Sequence, residues 1–173
     1  MPLFLIAEHD RAIREHAVRD YPHECCGFLF GRQSGSETKV EAVVPADNTR
    51  SDSPRNRFEI GAAELFRADK TARSQGLGVV GFYHSHPDAP ARPSGYDRER
   101  GWPGYCYVIV SVSGVKSSAA PSPLGAEQFG HGQGAEGSET NSPAQVEAQA
   151  MMNWRLDEIS GDFVNDPITI FGQ

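Results

Sequence analysis

Short apolar runs alternate with polar connections along most of this chain. Runs rich in β-branched and aromatic residues predict strands at 3–6, 25–30, 38–44, from 78 onward, 105–112, 151–156 and 163–171. Apolar residues one turn apart predict helices at 8–20 and 62–74. A polar loop at 48–55 and a short extended piece at 58–60 precede the second helix. This mixture indicates an α/β or α+β fold, and 173 residues suit one domain.

One stretch, 113–148, departs from this pattern. It contains 6 Gly, 6 Ser, 6 Ala and 3 Pro but one aromatic residue, so it cannot bury enough apolar surface to offset its ordering entropy. We therefore predict a single domain formed by 1–112 and 149–173, interrupted by a flexible Gly/Ser/Ala/Pro-rich insertion at 113–148. Its composition favours a tolerated surface loop over a lid or tether near a substrate cleft.

Charge, hydropathy and cysteine content narrow the class of protein. A net charge of −7 without a dense Lys/Arg run argues against nucleic acid as a partner. No run approaches the ~18 apolar residues of a membrane span, and the N-terminal run lacks signal-peptide features. Cys25, Cys26 and Cys106 do not form a disulfide framework. We read them as small core residues, rather than redox or metal groups, in a reduced and hence cytoplasmic compartment.

The segment from His84 to Asp97 concentrates the candidate chemistry. A buried strand leads into His84-Ser-His86, and because strand side chains alternate, both histidines point to the same side. Asp97 follows eleven residues after His86, past a segment rich in proline and glycine that could return the chain to the strand end. Structural zinc normally has four protein ligands, whereas catalytic zinc keeps one position for water. Three candidate ligands therefore favour a catalytic site.

Simpler interpretations exist for each piece. A His-x-His pair on a strand is commonly two satisfied or exposed histidines, and Ser94-Gly-Tyr-Asp97 has the form of a helix capping box. The combination favours the metal site, since a cap does not require a histidine pair eight residues earlier. His9 and His16, seven residues apart on the first predicted helix, have the spacing of an exposed stripe.

A hydrolytic site also needs a general base, for which Glu24 is the best candidate. It directly precedes the apolar strand at 25–30. The alternative is an ordinary solvated carboxylate at a strand end, because charged residues are usually exposed.

Glu24, His84-Ser-His86 and Ser94-x-x-Asp97 together resemble the signature of the JAMM (MPN-plus) zinc metalloprotease family. The seven residues between His86 and Ser94 and the two between Ser94 and Asp97 match its spacing. The surrounding segments are similar to the short bacterial members, notably Pro-His-Glu-Cys-Cys-Gly-Phe, Asn-Arg-Phe-Glu-Ile and Trp-Pro-Gly-Tyr. The likeness covers about residues 3 to 112 and resumes weakly near 154–156.

The resemblance implies a cytidine-deaminase-like MPN fold, with a central mixed β-sheet flanked by helices. It implies that His84, His86 and Asp97 bind Zn²⁺, that Glu24 is the general base and then the general acid, and that Ser94 donates a hydrogen bond to the oxyanion. Short bacterial members act on ubiquitin-fold sulfur carrier proteins, cutting after the C-terminal diglycine. We expect the cleft to admit such a tail beside a strand edge.

Two other functions are compatible with parts of the pattern. A non-catalytic MPN scaffold or binding module would usually have a degraded ligand set, whereas this set is intact. A DNA-repair-associated relative has a similar arrangement, but the acidic balance and the lack of a preceding helix-hairpin-helix region disfavour it.

Overall fold

A computed structural model describes residues 1–115 and 145–172 of the chain. In this part of the chain the helices are α1 (Ala7–Asp20), α2 (Ala62–Ser74) and α3 (Gly95–Arg100). The strands are β1 (Leu3–Ile6), β2 (Cys26–Ser34), β3 (Glu37–Ala46), β4 (Gly78–Pro87), β5 (Cys106–Val115), β6 (Gln145–Leu156), β7 (Phe163–Asp166) and β8 (Ile168–Phe171).

The strands form one mixed sheet in the order β7-β6-β5-β4-β2-β3-β1-β8. The pairs β4–β5, β1–β3 and β1–β8 are parallel and the other pairs are antiparallel. One hydrophobic cluster includes Ile13 and Ala17 of α1, and the other includes Ala68 and Ala72 of α2. The helices therefore flank a central mixed sheet, which confirms the predicted fold class.

The C-terminal segment differs from the single strand predicted at 163–171. Pro167 divides it into β7, which pairs with β6, and β8, which pairs with β1 at the opposite end of the sheet order. Proline lacks the N–H that a continuous ladder requires, while its carbonyl accepts a hydrogen bond of 2.9 Å from the N–H of Leu3. The two ends of the sheet consequently meet at this one residue.

The other elements agree closely with the predicted positions, with two differences. Residues 58–60 are not part of the sheet. β5 continues to Val115 and β6 begins at Gln145, so regular pairing extends into both ends of the predicted insertion. The remainder of that insertion, 116–144, lies outside the described residues.

β4 occupies the middle of the sheet, between β2 and β5, and leads to the candidate site. Its neighbours approach closely because glycine stands at two crowded positions. A Cβ on Gly27 would lie 2.3 Å from the ring of Tyr83, and one on Gly81 would lie 2.3 Å from the carbonyl oxygen of Cys106.

None of the helices in the described ranges combines the length and apolar character needed to cross a bilayer.

Candidate active site

The two histidines of β4 lie at its carboxyl end and point to the same side of the sheet. His84 is 1% exposed and His86 is 8% exposed. Their Nε2 atoms are 3.0 Å apart, so the two imidazole rings converge on one point. The alternation of strand side chains produces this meeting, as the His-x-His spacing predicts.

Asp97 reaches the same point from the short helix α3, which begins after a complete capping box. The N–H of Asp97 donates to Ser94 Oγ at 3.2 Å, and the N–H of Ser94 donates to Asp97 Oδ2 at 2.6 Å. The carboxylate is 3.4 Å from His84 Nε2 through Oδ1 and 3.6 Å from His86 Nε2 through Oδ2. The capping box is therefore present, and it is also what holds the carboxylate against the histidines.

Neighbouring groups fix the orientation of both imidazoles. Nδ1 of His86 lies 2.9 Å from the carbonyl oxygen of Pro90, which can only accept, so Nδ1 carries the proton and Nε2 presents a lone pair. The ring of Phe58 stacks on His84 with centroids 4.5 Å apart. Nδ1 of His84 is buried and has no partner among the described residues, so packing orients this ring.

A group of three side chains could hold a metal ion, because their ligand atoms all lie within 4.8 Å of one another: His84, His86 and Asp97. We call these three residues the metal-capable group. Two imidazole nitrogens and one carboxylate oxygen are a donor set that zinc accepts. The lone pair that the Pro90 contact leaves on His86 is the form a metal ligand needs. The residues present therefore fit a zinc ion.

Electrostatics supports the same interpretation for two of the three side chains. Burial opposes ionisation of Asp97, but His84, His86 and Ser94 together hold the pKa of its carboxyl well below its usual range. Burial lowers the pKa of His84. Burial alone would lower the pKa of His86, but its hydrogen bonds to the Asp97 carboxylate and the Pro90 carbonyl outweigh burial and raise it. At neutral pH Asp97 is ionised and His84 is neutral, and these are the forms in which both side chains bind a metal ion.

Hydrogen bonds hold the backbone of Glu24 and of the next residue in place. The N–H of Glu24 donates to the carbonyl of Pro54 at 2.8 Å, and its carbonyl accepts from Asn48 Nδ2 at 3.1 Å. The N–H of the next residue, Cys25, donates to Ser85 Oγ at 2.9 Å. Ser85, between the two histidines, therefore points to the opposite side of β4, and its hydroxyl holds the backbone next to Glu24 in place.

The β2–β4 register brings the side chain of Glu24 toward the metal-capable group. Cys26 pairs with His84, and extending this antiparallel register by two residues places Glu24 opposite His86. Glu24 is 5% exposed. Burial raises the pKa of Glu24 to about 8, with His86 lowering it and Asp97 raising it. A cation held by the neighbouring three side chains would lower this pKa and favour the carboxylate that a general base needs.

We expect Glu24→Gln to stabilise the metal-free protein at alkaline pH. Between the ordinary value of about 4.5 and the folded-state pKa of about 8, the folded chain holds a proton that the unfolded chain has lost. This contribution of Glu24 favours folding at low pH and is lost as the pH rises through about 8. The variant lacks this loss, so its melting temperature should exceed the wild-type value by roughly 10 °C at pH ~9. Thermal unfolding monitored by circular dichroism from pH ~4 to ~9 measures the difference, and an equal gain at all pH values would contradict the buried-charge explanation.

Ser94, at the start of α3, is exposed, and its hydroxyl is already engaged. Ser94 Oγ donates to Asp97 Oδ2 at 2.7 Å while accepting from the N–H of Asp97. To donate to a substrate oxygen, the hydroxyl would have to turn away from Asp97. The predicted oxyanion role therefore requires a rotation about one side-chain bond.

Asn48 is a site residue that the sequence did not reveal. Its Nδ2 donates to the carbonyls of Glu24 and Arg57, both at 3.1 Å. Its Oδ1 accepts from the N–H of Arg50 at 3.0 Å and from the N–H of Glu59 at 3.2 Å. One amide thus fixes Glu24 relative to the segment that carries Phe58. An asparagine in a polar loop carries no sequence signal of such long-range contacts.

Asn48→Ala is expected to lower the free energy of unfolding by about 1 to 3 kcal/mol, because it leaves partly buried backbone groups unpaired. Turnover should fall further than stability explains, since the carbonyl of Glu24 loses its anchor. Asn165→Ala is a matched control, because Asn165 donates a comparable 2.9 Å bond to the carbonyl of Asn153. Denaturant unfolding and steady-state kinetics on both variants test this. Equal losses of turnover would show that Asn48 does not position Glu24.

A cavity of about 160 Å³ adjoins the metal-capable group. An engineered apolar cavity of about 150 Å³ binds one benzene ring, so this volume suits one large side chain. The cavity is lined by Phe58, Glu59, Ile60, Leu65, Phe82, Tyr96, Asp97, Arg100, Gly101, Trp102 and Tyr107. Its interior is mostly apolar and aromatic, with charged groups among the lining residues.

His16 does not belong to an exposed stripe, and that expectation was wrong. It is 4% exposed, its Nδ1 lies 2.7 Å from the hydroxyl of Tyr83, and its Nε2 lies 3.1 Å from Asp20 Oδ2. The helix turns this histidine toward the sheet, where Tyr83 satisfies it. The cysteines agree with the core interpretation: all three are free and buried, and burial raises the pKa of each thiol.

Known proteins resemble this chain in both sequence and structure. A desampylase of Haloferax volcanii is 43% identical over 102 residues, which cover 58% of this chain and 71% of the relative. A probable TtuB-protein conjugate cleaving protease of Thermus thermophilus is 35% identical, with 62% and 69% covered. A CysO-cysteine peptidase of Mycobacterium tuberculosis is 34% identical, with 64% and 73% covered. A solution structure from Desulfitobacterium hafniense, at 24% identity, shares the fold with a TM-score of 0.69 over 99% of this chain and 94% of that one.

The fold, the site and these relatives define a hydrolase, a peptidase of the JAMM type. The family described as prokaryotic homologs of the JAB domain matches residues 7–122. The chain belongs to this family.

Proposed function

We propose that the protein is a zinc-dependent peptidase that hydrolyses an amide bond after the C-terminal diglycine of a ubiquitin-fold sulfur carrier protein. The observation that carries this proposal is the buried carboxyl of Glu24 beside three side chains, His84, His86 and Asp97, whose ligand atoms lie within 4.8 Å of one another. Three donors leave a position for substrate and water, which a closed structural site would not. The relatives named as conjugate-cleaving and CysO-cysteine peptidases support the substrate class.

In this proposal His84, His86 and Asp97 hold the zinc ion. When bound, zinc supplies Lewis-acid chemistry, polarising a carbonyl oxygen and making water a stronger acid. Glu24 takes a proton from the attacking water and passes it to the leaving amine. Ser94 turns its hydroxyl from Asp97 toward the developing oxyanion, an interaction whose loss typically costs about 100- to 1,000-fold in turnover.

An unpaired edge for an extended tail lies next to this site. β4 is paired on both sides, by β2 and β5, so it offers no free edge. The backbone groups of Glu59 are already paired. Its N–H donates to Asn48 Oδ1 at 3.2 Å, and its carbonyl accepts from the N–H of Thr49 at 3.0 Å. Its neighbours Phe58 and Ile60 form no backbone hydrogen bonds within the described residues. Their free groups support pairing with a substrate tail.

The position of the cavity indicates on which side of the cleaved bond the tail would lie. Glu24 protonates the leaving amine, so the leaving group belongs on the Glu24 side, and Glu24 does not line the cavity. Phe82, two residues before His84 on the same face, forms part of its wall. The cavity therefore lies on the acyl side of the bond. Because diglycine has no side chains, the cavity would receive a side chain from further up the tail.

The test is to incubate the zinc-loaded protein with sulfur carriers extended beyond their diglycine, and to follow product masses. We expect one cut, directly after the second glycine. Carriers with dialanine in place of diglycine are the control. They should resist cleavage, because the added methyl groups make the tail too wide for the approach to the metal site. Indiscriminate cutting of both carriers, or none of either, would contradict the proposed substrate class.

A further inference from the structure

Three arginines converge on one aromatic ring beside the candidate active site. The guanidinium carbons of Arg50, Arg57 and Arg100 lie 5.5, 5.2 and 5.1 Å from the ring centroid of Tyr96. These separations are within the ~6 Å range of cation–π attraction. The hydroxyl of Tyr96 also accepts a 3.1 Å bond from Arg50. We call this group of four residues the Tyr96 platform.

The platform carries more positive charge than its neighbours neutralise. Asp52 pairs with Arg50 at 2.6 Å, and Glu59 pairs with Arg50 at 3.3 Å and with Arg100 at 3.9 Å. Arg57 forms no ion pair with any described residue. The three arginines and the two carboxylates paired with them leave an excess of one positive charge, on a protein whose net charge is −7. This local excess would attract an anionic group.

Packing alone does not account for all three arginines. The side chain of Arg50 is 19% exposed and bonds to both carboxylates, so it completes a structural network. Arg57 is exposed, and the side chain of Arg100 is 59% exposed. These two guanidinium groups retain donors that face solvent and are available to a ligand.

The position of the platform connects it to the path of the substrate. Tyr96 immediately precedes Asp97, and both line the cavity together with Arg100. Arg57 immediately precedes Phe58, whose free backbone groups border the site. The platform therefore stands at the wall of the cavity on the acyl side of the proposed cleavage point.

We propose that the Tyr96 platform binds an acidic side chain in the carrier's C-terminal tail, upstream of the diglycine, and so selects carriers with acidic tails. This inference rests on the proposed function, since it assigns the acyl side to the tail. Arg57 and Arg100 are specificity residues here, because they contact the tail and not the reacting atoms.

The experiment measures binding separately from cleavage. Short fluorescent peptides that end in diglycine, matched except for Glu, Gln or Arg before the diglycine, are titrated against the wild type and R57E/R100E. We expect the wild type to bind the Glu peptide roughly five- to tenfold more tightly than the Arg peptide, with the difference shrinking as salt is added. R57E/R100E should reverse this order.

R11E/R19E is the matched control, since it makes the same change of charge on α1, where the side chains are 68% and 65% exposed. It should keep the wild-type preference. The Tyr96 platform is rejected if R57E/R100E binds the Glu and Arg peptides in the wild-type order. Because the peptides resemble products, binding tests the platform even if no carrier is cleaved, and cleavage of carriers by the wild type tests the proposed function separately.

Discussion

Glu24→Gln is expected to reduce the cleavage rate by about 1,000-fold or more while metal content stays unchanged. Glutamine keeps the size of the side chain but cannot accept and return a proton, and positioned acid–base groups contribute about 100- to 10,000-fold. The backbone bonds of Glu24 to Pro54 and Asn48 do not involve the side chain, so the local structure should persist. Single-turnover kinetics on a diglycine-extended carrier, with metal analysis of the same sample, measures both quantities.

Glu15→Gln is a suitable control for this experiment, because Glu15 is an exposed carboxylate on α1 whose side chain is 71% exposed. It should retain full activity. A Glu24→Gln protein that still turns over at a rate near the wild-type value would remove Glu24 from the proton transfer. A variant that lost its metal would assign Glu24 to metal binding instead.

Asp97→Asn is expected to weaken zinc binding by at least about 100-fold and to abolish cleavage. The amide oxygen can still accept the capping bond from the N–H of Ser94, so α3 should remain. What is lost is the negative charge that faces His84 and His86 and that a divalent cation needs from this donor set. Competition titration with a zinc chelator gives the affinity, and circular dichroism reports on folding.

Asp88→Asn controls for the loss of one carboxylate close to the same histidines in the sequence. Asp88 follows His86 by two residues, but it bonds to Tyr21 and Arg55 and is outside the three-residue group. Zinc affinity in this control should stay within about threefold of wild type, in the range of a screened surface charge. Equal losses in both variants would mean that general charge, not ligation by Asp97, sets the affinity.

Much of the fold is predictable from local sequence because strands and amphipathic helices repeat on short periods. The second helix occupies the predicted range, and the His-x-His spacing is itself a strand period. The proximity of Glu24 to the histidines cannot be predicted from such short periods. It depends on the antiparallel register of β2 against β4, which a single sequence does not encode locally.

The groups that support the site escaped prediction for the same reason. Asn48, Phe58 and the Tyr96 platform act through residues far away in the chain, and each looks like an ordinary loop or helix residue by itself. The capping box shows the opposite case. There one geometry is compatible with both the helix-capping and the metal-binding interpretation of Asp97.

The division of the C-terminal segment at Pro167 has a consequence for how the sheet is protected from other chains. β7 covers the last four residues of the outer edge of β6, and β8 covers the outer edge of β1. Exposed strand edges are templates for intermolecular pairing. A single chain break before Phe163 would therefore uncover edge positions at both ends of the sheet at once, and pairing with other chains should increase.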